Sequence, residues 1–130
     1  MEKFKKLIFR LFAVILILTS PFIGSHSGMT LSIENDSSSY IQRISKSYTK
    51  KYCNAIAFGL SKESAMNFSL EENNKVFEKK KYMKLINKDV LAEEIAISVV
   101  EKCGYPINLI GQKGIQEFKS YYLSKDRKHS

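Results

Sequence analysis

Histidine is almost missing from this 130-residue sequence: His26 and His129 are the two present. The first lies in the N-terminal stretch and the second is the penultimate residue, so no imidazole is expected in a folded body. That excludes Ser-His-Asp and Cys-His nucleophilic mechanisms, which need a base beside the nucleophile. It also excludes zinc sites that use histidine, and the two cysteines are too few for a four-thiolate site. Neither a P-loop nor a GxGxxG motif occurs. Arginine is scarce too: Arg10, Arg43 and Arg127 stand among 21 basic residues, the rest lysine. Planar, bidentate recognition of phosphates and base edges favours arginine, so the imbalance argues against specific nucleic-acid binding. No stretch alternates polar and apolar residues long enough to make a sheet, and no segment repeats. No cofactor is expected.

What the sequence does contain begins with a three-part leader. Lys3, Lys5, Lys6 and Arg10 precede an unbroken apolar run over residues 11–18, Pro21 breaks the helix, and Ser25 and Ser27 offer small residues for a cut before Gly28. This is the pattern of a secretory signal peptide over residues 1–27. The apolar core is short of the roughly 17–25 residues that a permanent span needs, and Arg10 interrupts it, so cleavage is favoured over retention as an uncut anchor. The remainder carries seventeen Lys and Arg against twelve Asp and Glu, a net of +5. Its length fits one domain and not two. Export places Cys53 and Cys103 where thiols oxidise, and two cysteines allow one pairing. Two separate buried thiols are the rival reading; the compartment favours the bridge.

Residues 28–39 are polar and serine-rich and have the composition of a flexible leader. A helical domain is expected over 40–124, with a fraying tail over 125–130. In the first predicted helix, 40–60, Ile41, Ile44, Tyr48, Tyr52 and Ala55 share a face, while Cys53 projects away with Ala57 and Leu60. The end of this helix, CNAIAFGL, is apolar nearly all round, which predicts burial on more than one side; Gly59 suits the left-handed terminating position. Ser61 caps a second helix that is clear to about Leu70, and Lys79, Lys80 and Lys81 are read as an exposed end or turn and a basic contact surface. The third helix has every boundary signal: Asn87 as cap, Asp89 in the first turn, Lys102 in the last, then Gly104 and Pro106. Its wide apolar arc predicts neighbours on two sides, with Cys103 pointing inward. A shorter fourth helix follows Gly111 and Gly114, with Ile115, Phe118 and Tyr122 on one face. The fold class is all-α, a compact bundle of about four helices.

Two features invite a functional reading. Gly111-x-x-Gly114 resembles the GXXG loop of KH domains, but Glu117 stands where that family has an apolar residue and no flanking sheet is indicated. A glycine turn with Lys113 exposed is the preferred reading. The acidic pairs Glu71-Glu72 and Glu93-Glu94 point in different directions on a helix, so neither makes a spaced catalytic dyad. The seven tyrosines suit either core rim or a recognition surface. The segments CNAIAFGLSKESAMNF and LAEEIAISVVEKCGYPI resemble small exported proteins of cyanobacteria that carry no assigned chemistry. The resemblance implies a periplasmic or thylakoid-lumen location and transfers no site residues. The functional expectation is an exported, non-enzymatic protein that binds a protein partner or accompanies a membrane complex. The alternatives are a basic domain anchored by its N-terminus on anionic lipid and, least supported, an enzyme using carboxylates or tyrosine.

Overall fold

Four helices carry the chain in the computed structural model, which describes residues 28–79 and 81–129, with side chains over 36–79 and 81–128. They are α1 (Gly28–Ala57), α2 (Lys62–Phe77), α3 (Lys88–Cys103) and α4 (Gly111–His129), joined by 3-10 turns at Lys81–Leu85 and Tyr105–Ile107. No strand occurs among the described residues. The chain divides between Thr30 and Leu31, and the bundle belongs to the unit that starts at Leu31. The signal peptide expected over 1–27 lies outside the described residues, as do Lys80 and the side chain of His129.

The C-terminal half of α1 touches all three other helices, and the order of its contacts fixes the topology. Going up α1, Tyr40 meets Phe77 of α2, Asn73 reaches the Ile44 carbonyl, and Tyr48 donates to the Met66 sulfur. The α2 numbers fall as the α1 numbers rise, so the two helices are antiparallel. Ser45 Oγ donates to the Glu94 carbonyl and Cys53 is bonded to Cys103, so α3 runs parallel to α1. Tyr48 packs on Tyr122 and Tyr52 on Phe118, which makes α4 antiparallel again. The result is an all-α, up-down-up-down bundle.

The boundaries follow local chemistry. Asn87 caps α3 through its side-chain oxygen, which accepts from the Asp89 and Val90 amides, and Ser61 caps α2 by accepting from Ser64 N at 3.2 Å. Gly59, at φ 89°, occupies the left-handed position that ends α1. Gly104 has an ordinary helical φ of −67°; it is needed instead because a Cβ there would overlap the Leu109 carbonyl oxygen.

Three expectations need correction. The segment 28–39 belongs to helix α1 and is not an irregular leader. The tail does not fray at residue 125: α4 runs to His129 and, at 19 residues, is longer than α2 or α3 at 16. Ion pairs hold it, Lys125 to Glu63 at 2.5 Å and Asp126 to Lys88 at 2.9 Å. Finally, Cys53 is not turned away from the buried face. It completes a row at four-residue steps, Ile41, Ser45, Thr49 and Cys53, every member of which is buried. Two small hydroxyl residues hid that row, because they read as polar while seating α1 against its neighbours.

The core is aromatic. Tyr48 and Tyr52 stack at 6.0 Å between centroids, and Phe118 and Tyr122 meet them edge-on. This resolves the tyrosines: Tyr40, Tyr48, Tyr52 and Tyr122 are core, while Tyr82 and Tyr105 are exposed. Burial, with the neighbouring phenols of Tyr122 and Tyr52, pushes the Tyr48 hydroxyl well above its usual range. Burial also raises Tyr122, and it takes Tyr52 to about 12. A neutral group whose folded pKa is raised stabilises the fold fully below the unfolded value, near 10, and loses that contribution as pH rises. Between pH 10 and 12 each such tyrosine is expected to remove about 1.4 kcal/mol per pH unit. Urea unfolding across this range should show the fall together with a late, cooperative appearance of tyrosinate absorbance. A flat stability profile, or early titration of all seven phenols, would contradict it.

Candidate functional site

The α1–α2 turn and the α3–α4 link lie at the same end of the bundle, joined by the Cys53–Cys103 bridge with its Cα atoms 5.7 Å apart. Lys62 Nζ adds a hydrogen bond across the same end, donating to the Ile107 carbonyl at 3.3 Å. Large apolar side chains stand out here: Phe58 and Tyr105 are each 85 % exposed, Ile110 63 % and Leu60 39 %. This corrects the expectation that the end of α1 is buried on several sides. Ala55 and Ile56 do pack inward, but Phe58 and Leu60 lie beyond the last turn and face solvent.

Two open grooves flank the Leu109 side chain. One, of about 520 Å³, is floored by Tyr52, Leu109, Phe118 and Tyr121 and rimmed by Lys62, Glu63 and Glu117. The other, of about 410 Å³, runs between the end of α3 and the start of α4, past Val100, Cys103, Tyr105, Ile110 and Ile115. The charged residues that line the grooves are of both signs, Lys62 and Lys102 with Glu63, Glu101 and Glu117.

The glycine pair shapes this end. Gly111 takes φ 61° at the start of α4, and a Cβ on Gly114 would come within 2.6 Å of the Leu109 backbone. Gly-x-x-Gly is therefore the first turn of α4 itself, in close contact with Leu109, and not a turn ahead of the helix, with Lys113 exposed as expected. Tyr105–Ile107 forms a 3-10 turn and Asn108 a left-handed residue, so the link is not extended.

Several carboxylates are committed to lysines. Lys125 lowers the Glu63 carboxyl by hydrogen bond and charge, and the lysine is raised in turn. Glu71 and Glu72 both bind Lys75, at 3.1 and 2.8 Å. Glu93 pairs with Lys119 at 3.0 Å, and the Glu94 backbone receives Ser45. Acid–base catalysis at neutral pH needs a pKa drawn toward 7; Glu63 and Tyr52 are both moved away from it. No group of three or more His, Cys, Asp or Glu suited to a metal occurs among the described residues, and none of their helices is long and apolar enough to cross a membrane.

Of the candidate residues read from the sequence, Cys53 and Cys103 come together here. Lys79 and Lys81 are exposed at the opposite end. Phe58, Leu60, Tyr105 and Ile110 were missed as surface residues, because an apolar helix end reads the same whether a neighbour covers it or not. No family model matches the chain, and neither a curated protein nor a solved structure does.

Proposed function

We propose that this chain is an exported, non-enzymatic helical protein whose bridged end docks a protein partner, as an accessory of a membrane or lumenal complex. One observation carries the reading: four large apolar side chains, two of them aromatic, are exposed at this one end of the bundle, and two of them, Tyr105 and Ile110, line one of its grooves. Aromatic anchors inside a polar rim are the composition of protein interfaces. The groove linings carry charges of both signs with no excess of cations to draw anionic lipid or nucleic acid, so the partner is one that presents apolar side chains between charges of both signs. The bridge and the leader-like N-terminus support export, since disulfides persist where thiols are not kept reduced. The commitment of Glu63, Glu71, Glu72 and Glu93 to lysines supports a non-enzymatic role.

Site-directed crosslinking tests it. A photoreactive phenylalanine analogue at position 58 or 105 should yield one defined adduct in the native compartment, and the same analogue at exposed position 71 should not. The adduct formed from position 58 should disappear in Tyr105→Ser, and a mass of twice this chain would identify the partner as a second copy. Diffuse labelling, identical from all three positions, would overturn the proposal.

A further inference from the structure

The opposite end of the bundle has a different chemistry. Its 3-10 turn, Lys81–Leu85, turns once in three residues, so side chains at i and i+3 lie above one another. That spacing sorts the sequence into three rows. Met83 and, just past the turn, Ile86 face inward, one packed against the core and the other 8 % exposed. Tyr82 and Leu85 face outward, at 49 % and 67 % exposure. Lys81 and Lys84 form the third row, both exposed. Tyr82 leans on Tyr40 of α1 with the rings 5.7 Å apart, which anchors the turn without covering it.

Further cations gather around the turn. Lys79 precedes it, and Lys88 follows it, paired with Asp126 of α4 at 2.9 Å. Over residues 78–85 three exposed lysines, Lys79, Lys81 and Lys84, meet one exposed carboxylate among the described residues, Glu78. Lys79, Lys81 and Lys84 make no salt bridge among the described residues.

We propose that this end rests on an anionic lipid surface, with Tyr82 and Leu85 at headgroup depth and Lys79, Lys81 and Lys84 over the phosphates. Cations on a flat phosphate surface explain the lysine bias, since no bidentate geometry is asked of them. The outward Tyr–Leu row explains why lipid is favoured over nucleic acid or an acidic protein: tyrosine partitions to the membrane interface, and a leucine 67 % exposed gains only where apolar material can take it up. This surface stands independently of the partner-binding end.

The test uses the protein as the cell produces it from the full sequence, sedimented with vesicles of phosphatidylcholine alone and with vesicles that also contain phosphatidylglycerol. Binding should favour the anionic vesicles and weaken with salt. Lys79→Gln, Lys81→Gln and Lys84→Gln together should weaken it about a hundredfold, and Leu85→Ser about tenfold, with helix content and melting temperature unchanged. Equal binding to both vesicles, or a triple variant that binds as tightly as the parent, would overturn the proposal.

Discussion

Replacing both bridge cysteines, Cys53→Ala with Cys103→Ala, is expected to lower stability by about 4 kcal/mol. The bond closes a loop of sequence separation 50, and the expected loss is the entropy that this closure removes from the unfolded chain. A domain of this size has about 5–15 kcal/mol in all, so the variant sits near the edge of folding at physiological temperature. The melting temperature should fall by roughly 15–30 °C, at about 4–8 °C per kcal/mol. The denaturant m-value should rise, because the unfolded chain without its cross-link exposes more surface. Excess dithiothreitol should bring the parent protein to the same midpoint as the double variant. Coincident unfolding curves for the oxidised parent and the variant would show that the bond contributes nothing. Alanine keeps the sites apolar, which matters because both cysteines are buried.

Phe118→Ala is the second large effect, about 3–5 kcal/mol by the behaviour of buried aromatics. The ring is 1 % exposed and meets Tyr52 edge-on at 5.1 Å and Tyr48 at 6.5 Å, so its loss also removes two aromatic pairs. Its other side, however, forms part of the floor of the larger groove. The cavity therefore opens toward solvent and can take up water or let Tyr121 settle, which places the cost at the lower end of that range. Phe118→Leu fills most of the space and should cost less than half as much. Tyr48→Phe, which gives up the hydrogen bond to the Met66 sulfur at 2.7 Å, should cost about 1 kcal/mol. Chemical denaturation of the three variants reads the series directly. A Phe118→Ala cost no greater than that of Tyr48→Phe would show that the aromatic cluster does not hold α4 in place.

The parts of the fold legible in the sequence are those whose signals are local. Helix α3 runs from Lys88 to Cys103 as its cap, charges, glycine and proline predict, because all four act within a turn of the boundary. The face of α2 was readable in the same way: Met66, Leu70 and Phe77 are buried, and Phe68 and Val76 are not. Asn73, which weakens the helix by propensity, is instead a buried link, donating to the Ile44 carbonyl and accepting from Lys51. Its partners lie on another helix, and no spacing rule points to them. The end of α4 was hidden for the same reason, since Glu63 and Lys88 are distant in sequence from Lys125 and Asp126. The upstream turns of α1 show how a helix extends through poor helix formers once its packed half exists, because each added residue then gains a hydrogen bond without a new nucleus. The candidate site was half legible. The cysteines announced the bridge, but the exposure of Phe58 and Tyr105 is set by what does not cover them.

The position of the bridge along the chain makes the four helices unequal. The covalent ring that it closes contains α2 and α3 entire, together with the last residues of α1, while α4 and the longer part of α1 hang outside as pendant segments. When the oxidised protein denatures, α2, α3 and the end of α1 stay within one closed ring, while α4 is tethered to it only through the short link after Cys103. On recovery the short link keeps α4 close to the ring, and the Phe118 and Tyr122 rings latch it onto Tyr52 and Tyr48 of α1. For the same reason α4 is the segment that two crowded molecules can trade without breaking a covalent bond.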